Sequence, residues 1–447
     1  MTRTAAPPTR PRTPPASTAR RVLGAVVVAN LLVVEALFLA YGTGRTPTLT
    51  VAKFFGLHAA LVLMVQLVLV ARLPWLDRRI GMDQLTRWHR WTGFALLWTV
   101  LLHATVVVLG YAALGGAPPG ATFLDLAAVP ASLLGMATAA TVVVVAVLST
   151  RPARRRVSYE TWHGVHLLVY LAVVLGLVHQ LLEGTTFAGS AAATVYWWGL
   201  WAGVLAAFLA GRVVLPLWRN ARHRLRVAAV VPESDDVVSI HLTGRRLDRL
   251  PARAGQFFIW HFLGHDHWWR ANPFSLSAAP DGRSLRLTVK AAGETSAGLR
   301  HVPVGTRVFA EGPYGAFTSL HRTRDAALLV AGGVGVTPVR ALLEEATGPT
   351  TVLYRVRSAD DAVLLPELED LARTRGARLH VLAGRTGAGS PPNSPFEPAN
   401  LLALVPDVAD RDVYVCGPPA MTSAVLRSLR TLRVPRRQVH AERFSLV

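Results

Sequence analysis

Apolar residues fill the first half of the chain in six long stretches, at about 22–41, 51–71, 90–111, 126–149, 163–181 and 192–215. Each approaches the ~20 residues a helix needs to cross the hydrocarbon core, so the pattern predicts six membrane-spanning helices. After Leu217 the pattern changes. Residues 222–320 alternate in short runs, "RLRVAAVV", "VVSIHLTG", "QFFIWHFL", "SLRLTVKA" and "TRVFAEGP", parted by Gly, Pro and Asp. That predicts a small antiparallel barrel. From 326 onward the runs "AALLVAGG", "TTVLYRVR", "RLHVLAGR" and "DVYVCGP" alternate with helical stretches at 338–346, 361–373 and 418–431. That is the pattern of an open parallel sheet of the doubly wound type. The expected fold class is multidomain, with an all-α six-helix transmembrane bundle (21–218), an antiparallel β-barrel (222–320) and an α/β open parallel-sheet domain (321–447).

Charge changes this picture only in its orientation. The formal net charge is +20, but the arginines gather between apolar runs rather than along one stripe, so nucleic acid is not an expected partner. They load the loops after spans 2 and 4 and the segment after span 6, while alternate loops carry almost none. The positive-inside rule then puts both termini in the cytoplasm of a plasma-membrane protein. The first 20 residues, rich in Pro, Thr and Arg, read as a disordered tail. The single cysteine, Cys416, excludes an intramolecular disulfide and a cysteine-ligated iron–sulfur cluster.

Histidines inside membrane spans point to function, because ionisable groups there are costly. Span 3 offers His89 and His103, span 5 offers His163, His166 and His179, and span 2 adds His58. His89 and His103 are separated by ~21 Å along a helix and about 40° around it. His166 and His179 are ~20 Å apart but about 140° around an ideal helix, a difference that a bend, a bulge or side-chain reach must absorb. Spans 3 and 5 run in the same direction, so His89 levels with His166 and His103 with His179. Each pair can grip one haem iron from both axial sides. A proton or metal permease is the competing reading. It calls for buried carboxylate relays, and the spans read as essentially free of them.

At these residues the chain resembles the ferric reductase and NADPH oxidase superfamily, in which spans 3 and 5 each carry two haem-ligating histidines. The match falls on "WHRWTGFALLWTVLLH" and "WHGVHLLVYLAVVLGLVH". The resemblance implies two b-type haems, held by His89, His103, His166 and His179. His163 is a candidate for a haem propionate, and His58 for an interhelical hydrogen bond.

The soluble half resembles the flavin domain of ferredoxin–NADP reductases. The stretch "ANPFSLSAAP" is similar to that fold's flavin signature, with Asn272 where a basic residue is usual and Phe274 where tyrosine is common. The resemblance implies an FAD site containing Asn272, Pro273, Phe274, Ser275, Leu276 and Ser277, with Phe274 on the flavin ring and the two serines bonding near it. Flavin diphosphate contacts are implied at Lys290, Gly293, Thr295 and Ser296, and Gly312 and Tyr314 border the flavin.

"LLVAGGVGVTPV" is a strand followed by Gly332, Gly333 and Gly335, with a helix opening near Thr337 and Pro338. Glycines there let the backbone approach a pyrophosphate at a helix N-terminus. Together with Cys416, Gly417 and Pro418 this matches the nicotinamide-nucleotide motif of the reductase fold. Arg355, Arg357 and Arg385 are candidates for a 2′-phosphate, which favours NADPH over NADH; Asp360 and Asp361 suit a ribose hydroxyl. Glu442 and Phe444 are candidates for covering the flavin.

The resulting expectation is a transmembrane electron-transfer oxidoreductase. It passes electrons from NAD(P)H through FAD and two b-type haems to ferric chelate or dioxygen outside, with no side-chain nucleophile or base and no obligate protein partner. The alternatives are a six-span permease with a nucleotide-sensing domain and a quinone-linked NAD(P)H dehydrogenase.

Overall fold

The computed structural model describes residues 16–265, 268–387 and 394–442. The chain forms two compact units: residues 20–73 with 84–212, and residues 74–83 with 213–447.

The first unit is helical. Its spans are α1 (Ala16–Tyr41), α2 (Pro47–Val70), α4 (Met82–Gly115), α6 (Pro130–Leu148), α8 (Tyr159–Glu183) and α9 (Ala191–Leu209). Each is long and apolar enough to cross a membrane. The short α3 (Pro74–Ile80), α5 (Pro119–Ala127) and α7 (Arg151–Arg154) lie between spans. The fourth apolar stretch was expected as one helix over 126–149, but it breaks before Pro130, whose ring admits a helix start and not a helix interior. Ser158 and Ser190 cap α8 and α9 by accepting from the backbone N–H groups of Thr161 and Ala193. The core of the unit joins Phe38, Leu63, Met64, Trp197 and Trp201, while Leu39, Leu124 and Val195 face outward. That outward apolar surface suits lipid. Small residues let α6 and α8 approach closely: a Cβ on Gly176 would stand 3.2 Å from Thr138.

The second unit begins with α3 and with α10 (Leu215–His223), which follows a π-helical turn at Ala210–Val214. Two three-stranded antiparallel sheets follow. One has the order β1 (Arg226–Pro232), β2 (Val237–Thr243), β5 (Ser284–Lys290); the other has β4 (Asn272–Ser275), β3 (Phe257–Phe262), β6 (Val308–Tyr314). Isolated bridges at Arg226–Arg307 and Leu276–Leu287 join the sheets at both seams. The six strands thus wrap one core around Ile240, Trp260, Leu276 and Leu287. The sequence pattern yields five of these strands. It misses β4, which is four residues long and interrupted by Pro273.

The last part is a five-stranded parallel sheet in the order β11 (Val439–Glu442), β10 (Arg411–Cys416), β7 (Ala326–Gly332), β8 (Thr350–Arg355), β9 (Arg378–Leu382). Within the barrel, α11 (Glu294–Gly298) follows β5 and precedes β6. Helices α12 (Val336–Glu344) and α13 (Leu365–Arg375) cover the sheet face bearing Leu329, Ala331 and Tyr354. Helices α14 (Pro398–Leu404) and α15 (Pro419–Thr431) cover the face bearing Leu328, Val330 and Leu353. Alternate residues of one strand therefore serve opposite layers. Strand order reverses between β7 and β10, where doubly wound sheets bind ligands.

A buried ionic cluster ties barrel to sheet. Arg286 on β5 makes a two-pronged bond to Glu367 at 2.8 and 2.9 Å, and Arg340 joins Glu367 at 2.9 Å. Glu344 accepts from the backbone N–H of Ala279 at 2.7 Å. Burial works to raise the Glu367 carboxyl, but Arg286 and then Arg340 outweigh it and hold the group below the usual carboxylate range.

Candidate functional site

In the helical unit the four histidines meet in the expected pairs. The imidazole centres of His89 and His166 are 6.1 Å apart, and those of His103 and His179 are 6.4 Å apart. An imidazole nitrogen binds a first-row metal at about 2.0–2.1 Å and its ring centre lies roughly 1.1 Å behind, so two imidazoles flanking one metal have centres about 6.2–6.4 Å apart. The His103–His179 pair falls within that spacing, and the His89–His166 pair lies just below it. Helix α8 runs unbroken from Tyr159 to Glu183 with no π segment, so no bulge absorbs the angular difference.

The surroundings of the two pairs differ. His103 Nδ1 donates to the Ala52 carbonyl at 2.9 Å, and His179 Nδ1 donates to the Ala131 carbonyl at 2.7 Å. A carbonyl can only accept, so each Nδ1 carries the proton and each Nε2 keeps a free lone pair. A cavity of about 1030 Å³ surrounds these rings, lined by Gly56, Leu63, Gly135 and Met136 among others. Its walls are mainly apolar, which suits a tetrapyrrole. At the other pair, the Nδ1 atoms of His89 and His166 are buried without a hydrogen-bond partner among the described residues. The Trp162 ring lies 5.1 Å from His166. His163 is exposed next to Trp162.

His58 does take part in an interhelical contact: its Nε2 lies 2.7 Å from a carboxylate oxygen of Glu35. This corrects the expectation that the spans hold essentially no carboxylates. Glu35 sits in the middle of a run of valine, leucine and alanine, where one acidic residue does not break the hydropathy pattern.

In the second unit, β4 carries the flavin-like signature. The Ser275 hydroxyl is buried and has no hydrogen-bond partner among the described residues, as expected of a group that meets a ligand. Phe274 and Pro273 are half-buried next to it. Leu276 and Ser277 take other roles. Leu276 is wholly inside the barrel core. The Ser277 hydroxyl is fully buried and accepts from Arg286 at 3.1 Å and from Thr288 at 2.8 Å, so it belongs to the join with the sheet.

Asn272 does not stand in for a cation. Its amide donates to the carbonyls of Trp260 and Arg270 at 3.2 and 3.1 Å. A cation does stand two residues earlier: the Arg270 guanidinium, which the sequence reading did not single out, donates to the Thr295 hydroxyl at 2.9 Å. Lys290 pairs with Asp236 at 2.9 Å. Ser296 accepts from the N–H of Gly293 at 3.0 Å, which shapes the turn ahead of α11.

Gly312 has φ of +145°, and a Cβ there would lie 2.7 Å from the Phe258 ring, so the turn at Tyr314 requires glycine. Two further segments of the same unit hold this turn. Asp77 on α3 is buried and accepts from the Gly315 N–H at 2.7 Å, and Arg219 on α10 donates to the Gly312 carbonyl. Glu442 also approaches: its carboxylate oxygen would lie 3.3 Å from a Cβ on Gly315. Phe444 lies outside the described residues.

The glycines after β7 have separate reasons. A Cβ on Gly332 would meet Met421 sulfur at 2.5 Å, and one on Gly335 would meet the Cys416 carbonyl at 2.4 Å. A Cβ on Gly417 would meet Met421 at 2.6 Å. These three let the ends of β7 and β10 close on one another. Gly333, with φ of +52° and open space around its Cβ position, makes the turn itself. Thr337 and Pro338 are buried in α12, and the Thr337 hydroxyl donates to the Val334 carbonyl at 3.1 Å. Cys416 is fully buried at the end of β10, with Pro418 opening α15.

Arg355 does not present itself to a 2′-phosphate. It is buried, and its guanidinium donates to the carbonyls of Leu382 and Ala383 and to Thr386. Burial lowers its pKa from the ordinary arginine value. Arg357 and Arg385 are exposed near the same strand ends. Asp361 accepts from the Ser358 N–H at 3.3 Å and caps its own turn.

The fold and these sites define a membrane oxidoreductase with a flavin- and nicotinamide-binding module. Comparison with known proteins agrees. A family model described as ferric reductase like transmembrane component matches residues 55–177, and one described as oxidoreductase NAD-binding domain matches residues 329–427. The ferredoxin–NAD(+) reductase component of the alkene monooxygenase system of Xanthobacter autotrophicus is 33% identical over 237 residues, covering 50% of this chain and 70% of that protein. The ferredoxin reductase component of the 3-ketosteroid-9-alpha-monooxygenase of Mycobacterium tuberculosis is 30% identical over 239 residues, covering 49% and 64%. The FAD/NAD-binding domain of the nitric oxide dioxygenase of Vibrio cholerae is a similar solved structure, 27% identical with a TM-score of 0.40, covering 50% of this chain and 98% of that one. The chain thus joins a ferric-reductase-type transmembrane domain to an oxidoreductase NAD-binding domain, the fused architecture of the ferric reductase and NADPH oxidase superfamily.

Proposed function

We propose that this membrane electron-transfer oxidoreductase carries electrons from cytoplasmic NAD(P)H, through FAD and two b-type haems, to ferric chelate or dioxygen at the outer face of the plasma membrane. The observation that carries this reading is the pairing of His89 with His166 and His103 with His179, at 6.1 and 6.4 Å between ring centres. When bound, the flavin turns the electron pair of a nicotinamide into the single electrons that haem iron accepts, a conversion no side chain here can make.

The work of the chain is binding and distance. His89 and His166 hold one haem level, and His103 and His179 hold the other, ~21 Å along the helix. Arg270, Thr295 and the turn at Gly293 receive the flavin diphosphate, with Ser275 and Phe274 at its ring. The turn from Gly332 to Pro338, with Cys416 to Pro418, receives the nicotinamide nucleotide, and Arg357 and Arg385 select a 2′-phosphate. Arginine-rich loops between spans support cytoplasmic termini. Domain limits of 21–218, 222–320 and 321–447 serve this division of labour.

An absorbance spectrum of the purified full-length protein tests the reading. Two b-type haems and one flavin per chain are expected. Absence of any haem band overturns it and favours a six-span permease. Steady-state turnover with NADPH or NADH, against ferric chelate or dioxygen confined to the outer face, then identifies the acceptor; reduction of quinone alone favours a quinone-linked dehydrogenase.

A further inference from the structure

Two helices on opposite sides of the His103–His179 level carry the same small pattern. On α2 it is Ala52-Lys53-Phe54-Phe55-Gly56, and on α6 it is Ala131-Ser132-Leu133-Leu134-Gly135. In each, the alanine carbonyl accepts the Nδ1–H of one histidine, at 2.9 Å for His103 and 2.7 Å for His179. In each, the glycine one turn later lies directly under the same ring. A Cβ on Gly56 would stand 2.8 Å from His103 Nδ1 and Cε1, and one on Gly135 would stand 3.0 Å from the same atoms of His179. A helical carbonyl has two lone pairs, so it can serve its own helix and an outside donor together, provided nothing shields it. The missing side chain at i+4 opens that approach.

We infer that these alanine–glycine pairs are matched cradles that position His103 and His179 and set the ligand strength of the haem they hold. This rests on the haem reading above and adds to it a pair of positioning residues and a tuning mechanism. A carbonyl drawing on Nδ1–H fixes the tautomer, orients the ring plane and makes Nε2 more basic. A more basic axial ligand favours the ferric state, so the cradles lower the reduction potential of this haem. Losing the carbonyl bond raises it.

The test is Gly56→Ala and Gly135→Ala in the full-length protein, with Gly203→Ala as control. Gly203 lies in α9, and nothing stands within 4 Å of its Cβ position. Alanine is the better helix former at all three sites, so any defect must come from the ring contact. Redox titration followed by absorbance, with His103→Ala identifying which haem is which, should show that haem moving at least tenfold toward the reduced state in G56A and G135A. That is an upward shift of about 59 mV for a one-electron couple. Its low-spin EPR signal should shift as well, while the other haem and G203A keep wild-type values. Unchanged potential and EPR signal in both variants, or an equal shift in G203A, overturn the inference. If neither variant assembles, pulsed EPR of the unaltered protein decides: an exchangeable, hydrogen-bonded Nδ1 proton on both ligands supports the cradles, and its absence overturns them. A wild-type protein without haem sinks the broader reading instead.

Discussion

Replacing Arg270 with glutamine tests how this chain binds a flavin diphosphate without a basic residue at position 272. Asn272 is committed to two carbonyls, one of them that of Arg270 itself, so it fixes the arginine backbone. The Arg270 guanidinium reaches across to Thr295, on the turn that precedes α11. Lys290, the other cation of this loop, is paired with Asp236 at 2.9 Å. Arg270 is therefore the cation proposed to meet the flavin diphosphate at this turn. A hydrogen bond to a charged group contributes about 1.5–3 kcal/mol. At 1.4 kcal/mol per decade, R270Q should weaken FAD binding by about 10- to 150-fold. Arg270 is only half-buried, so solvent screening favours the lower part of that range. The assay is fluorescence titration of the flavin-stripped, full-length protein with FAD and with riboflavin, which lacks phosphate. FAD affinity should fall and lose salt sensitivity; riboflavin affinity should not move, and R270K should recover most of the loss. Equal weakening of both ligands would refute the assignment, because it would mean that the substitution damages the pocket rather than removing a phosphate contact.

Three further outcomes follow from the same geometry. His103→Ala should spare NAD(P)H-to-flavin transfer in stopped-flow absorbance and abolish electron delivery to an outer acceptor; preserved outward flow contradicts the two-level path. Arg357→Ala and Arg385→Ala should each raise KM for NADPH by roughly tenfold and leave NADH unaffected, as for loss of one phosphate contact, whereas Arg355→Ala should lower thermal stability without changing nucleotide preference. Glu367→Gln should destabilise the soluble unit by about 1–2 kcal/mol at neutral pH, the value for a broken buried pair reduced for the partial exposure of Glu367. The Glu367 pKa is depressed on folding, so its contribution is full above the unfolded value of about 4.3 and fades as pH falls through the lower folded value. The gap in Tm between wild type and E367Q should therefore begin to narrow as pH falls below about 4.3.

Much of this was legible in the sequence because the signals are periodic or compositional. Six apolar stretches, the switch from long runs to alternation, and glycine clusters at strand ends survive without any knowledge of partners. The pairing of spans 3 and 5 was legible because two histidines recur at nearly equal spacing on each. What failed was what depends on where a side chain ends. Arg355, Arg357 and Arg385 look alike in sequence, yet neighbouring carbonyls consume the first and leave the other two exposed. Ser275 and Ser277 are two residues apart on one strand, and only the first is left unsatisfied. Arg270 was overlooked because the signature places its cation two residues later, and only the fold shows the arginine reaching Thr295. The Ala–Gly pairs at 52–56 and 131–135 are visible as a repeated spacing, but helices are full of such spacings.

The Glu35–His58 pair bears on the choice between an electron path and a proton path. His58 Nδ1 lies 2.8 Å from the Phe54 carbonyl of its own helix, so Nδ1 must be the protonated nitrogen. Nε2 then faces a Glu35 oxygen at 2.7 Å, and two acceptors that close need a proton between them. Whether that proton sits on nitrogen or oxygen, the pair as a whole is neutral, which is what a low-dielectric setting favours. A relay requires the proton to have somewhere to go. Here one nitrogen is closed off by its own helix and the other by a single carboxylate, with no other hydrogen-bond partner of either side chain among the described residues. Asn30 and Tyr196 make a second link of the same kind, joining α1 to α9 at 2.7 Å. Both contacts read as polar clasps between apolar helices. The carboxylate that the sequence reading overlooked therefore does not revive the permease. It leaves the paired histidines as the arrangement in this unit suited to moving charge.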